Sequence, residues 1–185
     1  MRAPDELLRL TTSFEPSAEE AKSRELILAM LEHSPEPFSR RQFKPGHITC
    51  TALVVHPDRT RILLAYHHRL RRWLLPGGHV EEIDESLADT ARREALEETS
   101  VEIQSGAAGL LVGMDVHGIP ANKRKKEPFH LHHDLIFAFP AASEDFRQSE
   151  EAPEIVWCSR GDLAGYGAPL SIVLAAGRAL EQSAQ

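Results

Sequence analysis

The stretch PGGHVEEIDESLADTARREALEETSV, residues 76–101, decides how this chain is read. It opens on Gly77-Gly78, which permits a close backbone approach where a side chain would block it. Ser86 is placed to cap a helix, with Asp89 three residues on as a shorter version of the capping-box acid. A helix from Ser86 to Glu98 then sets Glu94, Glu97 and Glu98 at i, i+3 and i+4, three carboxylates on one face. In water that spacing costs roughly 0.2–0.5 kcal/mol per like-charged pair, so a chain that builds it beside a glycine turn needs compensation. The residues alone leave two sources open. Arg92 and Arg93 balance a solvated surface, or a hard divalent cation takes the oxygens as ligands.

Working upstream, Trp73–Leu75 form an apolar entry to the turn, with Trp73 read as packed core. Before them, ITCTALVV (48–55) and RILLAY (61–66) flank the turn sequence HPDRT (56–60), the pattern of a β-hairpin. Residues 17–33 read as a helix: Ser17 caps it, Glu20 completes a capping box, and Ala21, Leu28 and Leu31 recur at helical spacing. The proline- and charge-rich run 33–47 reads as a connector. Downstream, HLHHDLIFAF (130–139) and EIVWC (154–158) read as strands and Leu170–Glu181 as a closing helix. This mixture predicts an α/β (α+β) sandwich around a mixed sheet.

Composition narrows the function classes. The 185 residues carry a formal charge of −7, which argues against nucleic acid or an anionic membrane as the main partner. A small phosphorylated ligand needs only local positive charge or a metal. The apolar runs, such as Leu26–Leu31, are too short to span a bilayer, and MRAPDELLRL has acids where a secretion signal needs an apolar run. Cys50 and Cys158 both fall in strand-like sequence and imply no disulfide framework. The expectation is a reduced, cytoplasmic protein.

Residues 76–101 resemble the Nudix box of the Nudix hydrolases. The family pattern runs Gly, five residues, Glu, seven residues, Arg-Glu, an apolar residue, any residue, Glu-Glu, any residue, Gly, apolar. Here Glu85 is followed by seven residues, then Arg93-Glu94, Ala95, Leu96, Glu97-Glu98, Thr99, Ser100 and Val101. Six residues, not five, separate Gly78 from Glu85, and Ser100 stands where the family has its final glycine.

The resemblance implies a Nudix-type α/β/α sandwich over residues 47–185, with residues 1–46 as an N-terminal helical extension that either covers the sheet or pairs two subunits as a homodimer. It also implies metal-dependent hydrolysis of a pyrophosphate bond in a nucleoside diphosphate linked to another moiety, with Mg²⁺ or Mn²⁺ as cofactor and a small phosphorylated molecule, a nucleotide derivative, as substrate. Gly78 (through its carbonyl), Glu94, Glu97 and Glu98 are the expected metal ligands. Glu94 and Glu97 are the expected catalytic residues, with the general base either Glu94 or a loop glutamate such as Glu127, Glu150 or Glu151. Arg93 is expected to orient a glutamate, and Glu85 to support the loop or an outer-shell water. Two other readings share the fold: a catalytically silent nucleotide sensor, and an isomerase of the isopentenyl-diphosphate type. The isomerase needs a cysteine beside a histidine, and Cys50 has no adjacent histidine.

Strand alternation puts His130, His132 and Asp134 on one face. Three readings of that face stay open: a zinc or manganese site, a pocket wall that contacts base or phosphate, and a half-exposed strand facing solvent. With Arg72, from the basic run His67, His68, Arg69, Arg71 and Arg72, these residues form the expected substrate-binding set. Lys123–Lys126 read as a solvated loop or as a lid over phosphates.

Overall fold

The computed structural model describes residues 3–183. Its elements are α1 (Ala3–Ser13), α2 (Ala18–His33), β1 (Gly46–Val55), β2 (Arg61–His67), β3 (Arg72–Leu74), β4 (Gly77–His79), α3 (Leu87–Thr99), β5 (Leu110–Ile119), β6 (His130–Pro140), β7 (Ile155–Ser159) and α4 (Leu170–Ser183). The strands make one seven-stranded mixed sheet in the order β3-β2-β1-β6-β5, with β4 on β1 and β7 on β2. The long β1–β6 pair is parallel, from Gly46↔Leu131 to Val55↔Pro140. The pairs β1–β2, β1–β4, β2–β3, β2–β7 and β5–β6 are antiparallel.

The expected hairpin of β1 and β2 forms only at its closed end, where Val55 faces Ile62. Beyond that point the strands part. β2 takes β7 and β3 as partners, while β4 enters beside β1 with Thr51 facing Gly77 and Thr49 facing His79. The Pro76 carbonyl accepts from the Ala52 amide at 2.9 Å, closing the ladder across the split. This divergence leaves room for a cleft above the ends of β1 and β6.

Alternation along β1 and β6 divides the core in two. Ile48, Cys50, Ala52, Val54, Leu135, Phe137 and Phe139 pack with Leu7 of α1, Ile27 and Met30 of α2, and Leu87, Ala91 and Ala95 of α3. Leu53, Val55, Ile136 and Ala138 pack with Ile172, Ala175, Ala176 and Ala179 of α4. The result is an α/β/α arrangement in which the N-terminal helices cover their own sheet.

α2 starts as its sequence indicates, with Ser17 and Glu20 forming the reciprocal capping box. Glu20 also reaches across the molecule. Its carboxylate pairs with both terminal nitrogens of Arg178 in α4, and Arg178 donates as well to the Val112 carbonyl at 2.8 Å. The pair ties the two helical layers together past β5. Cys50 and Cys158 are buried free thiols. Trp73 is half-buried, its ring edge-on to Tyr66 and Tyr166 at 5.5 and 5.1 Å. No helix among the described residues is long and apolar enough to cross a membrane.

Candidate active site

The glycine turn and α3 meet at close quarters. A side chain at Gly78 would put its Cβ 2.5 Å from the Glu94 carboxylate, and one at Gly77 would strike Thr51 Oγ1 at 2.5 Å. The turn therefore lies flat against both β1 and the helix because it has no side chains. Glu98 completes the junction, accepting the Gly77 amide at 3.3 Å. Burial pushes the Glu98 carboxyl up to about 8, against the Gly77 hydrogen bond and with help from Glu94, Glu151 and Glu97. Glu94 is also raised by burial, partly offset by Arg93. Glu97, one turn of α3 from Arg93, is exposed.

Arg93 organises this cluster. Its Nε and Nη2 donate to the two oxygens of Asp84 at 2.9 and 3.0 Å, its Nη1 to Glu94 at 2.9 Å and Glu97 at 3.4 Å, and Nη2 also to the His79 carbonyl. The planar fork suits a bidentate carboxylate. Asp84 is nearly sealed, its side chain 4% exposed, and its carboxylate also takes the Glu81 amide and the Thr90 hydroxyl. These bonds hold it below the usual carboxylate range, against its own burial. The residue that supports the loop is thus Asp84, not Glu85, which is exposed. A spacing of five intervening residues from Gly78 falls on Asp84, so the extra residue lies between this acid and α3. Ser100 ends α3 in the left-handed region at φ 53°, with its amide on the Leu96 carbonyl.

A cavity of about 810 Å³ opens over this junction and gathers most of the sequence-derived candidates: Gly78, Glu94, Glu97, Glu98, Arg72, His130, His132 and Asp134 all line it, as do Glu127, Glu150 and Glu151. Arg72 is exposed at the rim. Asp134 is buried and accepts the hydroxyls of Thr49 and Thr51 at 2.8 and 2.7 Å, so both its oxygens are engaged within the floor; burial raises it to about 6. His130 and His132 stand among further imidazoles. His47 of β1 lies with ring centroids 5.0 Å from His130, 4.8 Å from His132 and 4.9 Å from His79. The sequence alone does not mark His47 and His79, because each is a lone histidine in its own strand. Only the register of β1 with β4 and β6 joins them to His132. Lys125 also reaches this cavity.

The donor set fits a hard divalent cation. Glu94 and Glu98 converge in a partly buried space where Arg93 already serves Asp84, so both ionise together only with an added positive charge, and the ligand atoms are oxygens. A family model described as the NUDIX domain matches residues 46–179.

The chain belongs to the Nudix hydrolase family.

Solved structures agree on the fold. A NUDIX-family hydrolase from Clostridium perfringens superposes with a TM-score of 0.56 at 21% identity, over 74% of this chain and 97% of that one. An Ap4A hydrolase binary complex from C. elegans gives 0.52 at 16%, over 74% and 96%. The NUDIX domain of Shewanella oneidensis NrtR, in complex with ADP ribose, gives 0.50 at 21%, over 85% and 96%. At these identities the likeness is one of fold. No curated protein matches the chain significantly.

Proposed function

We propose that this Nudix protein hydrolyses the pyrophosphate bond of a nucleoside diphosphate linked to a second moiety, with Mg²⁺ or Mn²⁺ as cofactor. The observation that carries the reading is the convergence of Glu94 and Glu98 on the Gly77-Gly78 turn, braced by Arg93 and Asp84. A pyrophosphate is anionic and repels hydroxide, so catalysis consists of neutralising its oxygens and placing a water in line with the leaving oxygen. Glu94, Glu98, Glu97 and the Gly78 carbonyl would hold a divalent cation, which would supply that neutralisation and acidify the attacking water.

The chain's own residues do the rest. Arg93 fixes the rotamer of Glu94 from one side while the bare face of Gly78 receives it from the other. Glu94, already engaged by Arg93, is suited to holding the cation. Glu151, on the cavity wall and close enough to raise Glu98, is the loop carboxylate placed to accept the water's proton. Arg72, exposed at the rim of the cavity, is placed to take substrate phosphate in its guanidinium fork. ADP ribose and Ap4A, held or cleaved by proteins of similar fold, belong to the substrate class proposed here.

The Glu98→Gln variant tests the reading. It keeps the size of the side chain and its contact with Gly77 but removes the charge. Turnover should fall at least about tenfold, equivalent to a barrier raised by roughly 1.4 kcal/mol, with circular dichroism unchanged. Near wild-type turnover would remove Glu98 from the machinery.

A further inference from the structure

The geometry points to a second metal site in the same cavity, built from the imidazoles of His47, His79, His130 and His132 and selective for a Zn²⁺-class cation over Mg²⁺. It stands independently of the hydrolase reading, because none of its donors belongs to the carboxylate cluster.

The sheet brings the four rings together. β1 runs between β4 and β6; Thr49 faces His79 on one side, and His47 faces His132 on the other. The Nε2 atoms of His47 and His79 lie 3.0 Å apart. Two nitrogens bound to one ion at about 2.0–2.1 Å stand roughly 3.0–3.4 Å apart, depending on the coordination angle. The ligand atoms of His47, His130 and His132 all lie within 4.8 Å of one another, a spread that must contract for one ion to reach all three.

Tautomers are set from behind. His47 Nδ1 faces the Gln42 carbonyl at 3.1 Å, and His130 Nδ1 faces the Pro128 carbonyl at 2.9 Å. A carbonyl only accepts, so each Nδ1 carries the proton and each Nε2 presents a lone pair. Anchoring one ring nitrogen on a carbonyl is how proteins orient metal-binding histidines. His47 and His130 are 1% and 3% exposed; the His47 lone pair accepts the His79 Nε2–H, a proton that a bound cation would replace. Imidazole donors suit Zn²⁺, Co²⁺ and Ni²⁺, whereas Mg²⁺ takes oxygens and keeps its waters. His79 directly follows Gly78, so the imidazole site adjoins the carboxylate site and would set a second cation beside the substrate's phosphates.

The test uses the full chain, stripped with chelator and titrated with Co²⁺ in excess Mg²⁺ to keep the carboxylates occupied. One Co²⁺ per chain should bind with visible d–d absorption, be displaced by Zn²⁺ and not by Mg²⁺, and persist in Glu98→Gln. His132→Gln and His79→Gln, both at half-buried positions, should each weaken binding at least about tenfold, since even outer-shell partners of metal ligands are worth 10–100-fold. The wild-type arm decides alone if a variant does not fold. No Mg²⁺-resistant Co²⁺ binding, unchanged binding in both histidine variants, or binding lost in Glu98→Gln would each overturn the proposal.

Discussion

Gly78 and Ser100 bracket the catalytic helix, and each makes a sharp prediction. Gly78 has no room for a methyl group beside the Glu94 carboxylate, so Gly78→Ala must displace Glu94. A misplacement on the order of 1 Å can cost about 100-fold in rate; we expect kcat to fall roughly 10- to 100-fold while the far-UV circular dichroism is retained. Ser100 sits at φ 53°, where a side chain is strained and glycine is not. Ser100→Gly relieves that strain but makes the unfolded chain more flexible. The expected net gain is about 0.5–1 kcal/mol, read as a rise in Tm of roughly 1–4 °C, with turnover unchanged. A lower Tm would mean that the left-handed residue is not strained.

At the scale of elements, the sequence is legible wherever one local pattern suffices. The Ser17–Glu20 capping box marks α2, Ser86 marks α3, and Leu170 begins α4 as expected. α1 leaves no such mark, because APDELLRLTTS is short and its contribution is tertiary, through Leu7 in the core. β5 is hidden for a different reason. Gly113 and Gly118 interrupt its apolar alternation, and its pairing with β6 shifts register between Leu111 and Gly113. β3 and β4 span three residues each, too few for a period to show. The same limit governs the site. Glu94, Glu97 and Glu98 share one helix and are visible together, whereas Asp84, His47 and His79 acquire meaning only through partners on other elements. The Glu20–Arg178 pair is a further long-range feature. Glu20 is 3% exposed on its side chain and Arg178 27%, so removing one charge strands the other in a poorly solvated place. Glu20→Gln should destabilise the fold by roughly 2–3 kcal/mol, read as a lower midpoint in urea with the same slope. An unchanged midpoint would show that α2 is not fastened through this pair.

For the molecule as a whole, the buried imidazoles make the fold sensitive to acid. Burial holds His79 at about 3, His132 at about 2 and His133 at about 4, against about 6.5 in an unfolded chain. Below pH 6.5 the unfolded chain therefore takes up protons that the folded chain refuses. Their contribution is fully present above about 6.5 and is lost progressively as the pH falls toward the folded values. In EDTA, Tm should drop steadily between pH 7 and 5, and the drop should be shallower in a His79→Gln/His132→Gln double variant. The raised Glu98 and Asp134 carboxyls act in the opposite sense in both proteins, so the comparison decides: an identical pH slope in the wild type and the double variant would contradict the burial of these rings as neutral groups.

The central claim is that the braced carboxylates on α3 cleave a phosphoanhydride. The most direct measurement incubates the protein with ADP-ribose, Ap4A and nucleoside triphosphates in H₂¹⁸O, with Mg²⁺ and again with EDTA, and weighs the products by mass spectrometry. One of these classes should be cleaved with Mg²⁺ alone, and a single ¹⁸O should enter a phosphate-bearing product. Recovery of every compound intact, with calorimetry showing tight binding of one of them, would contradict the claim and make the protein a nucleotide sensor.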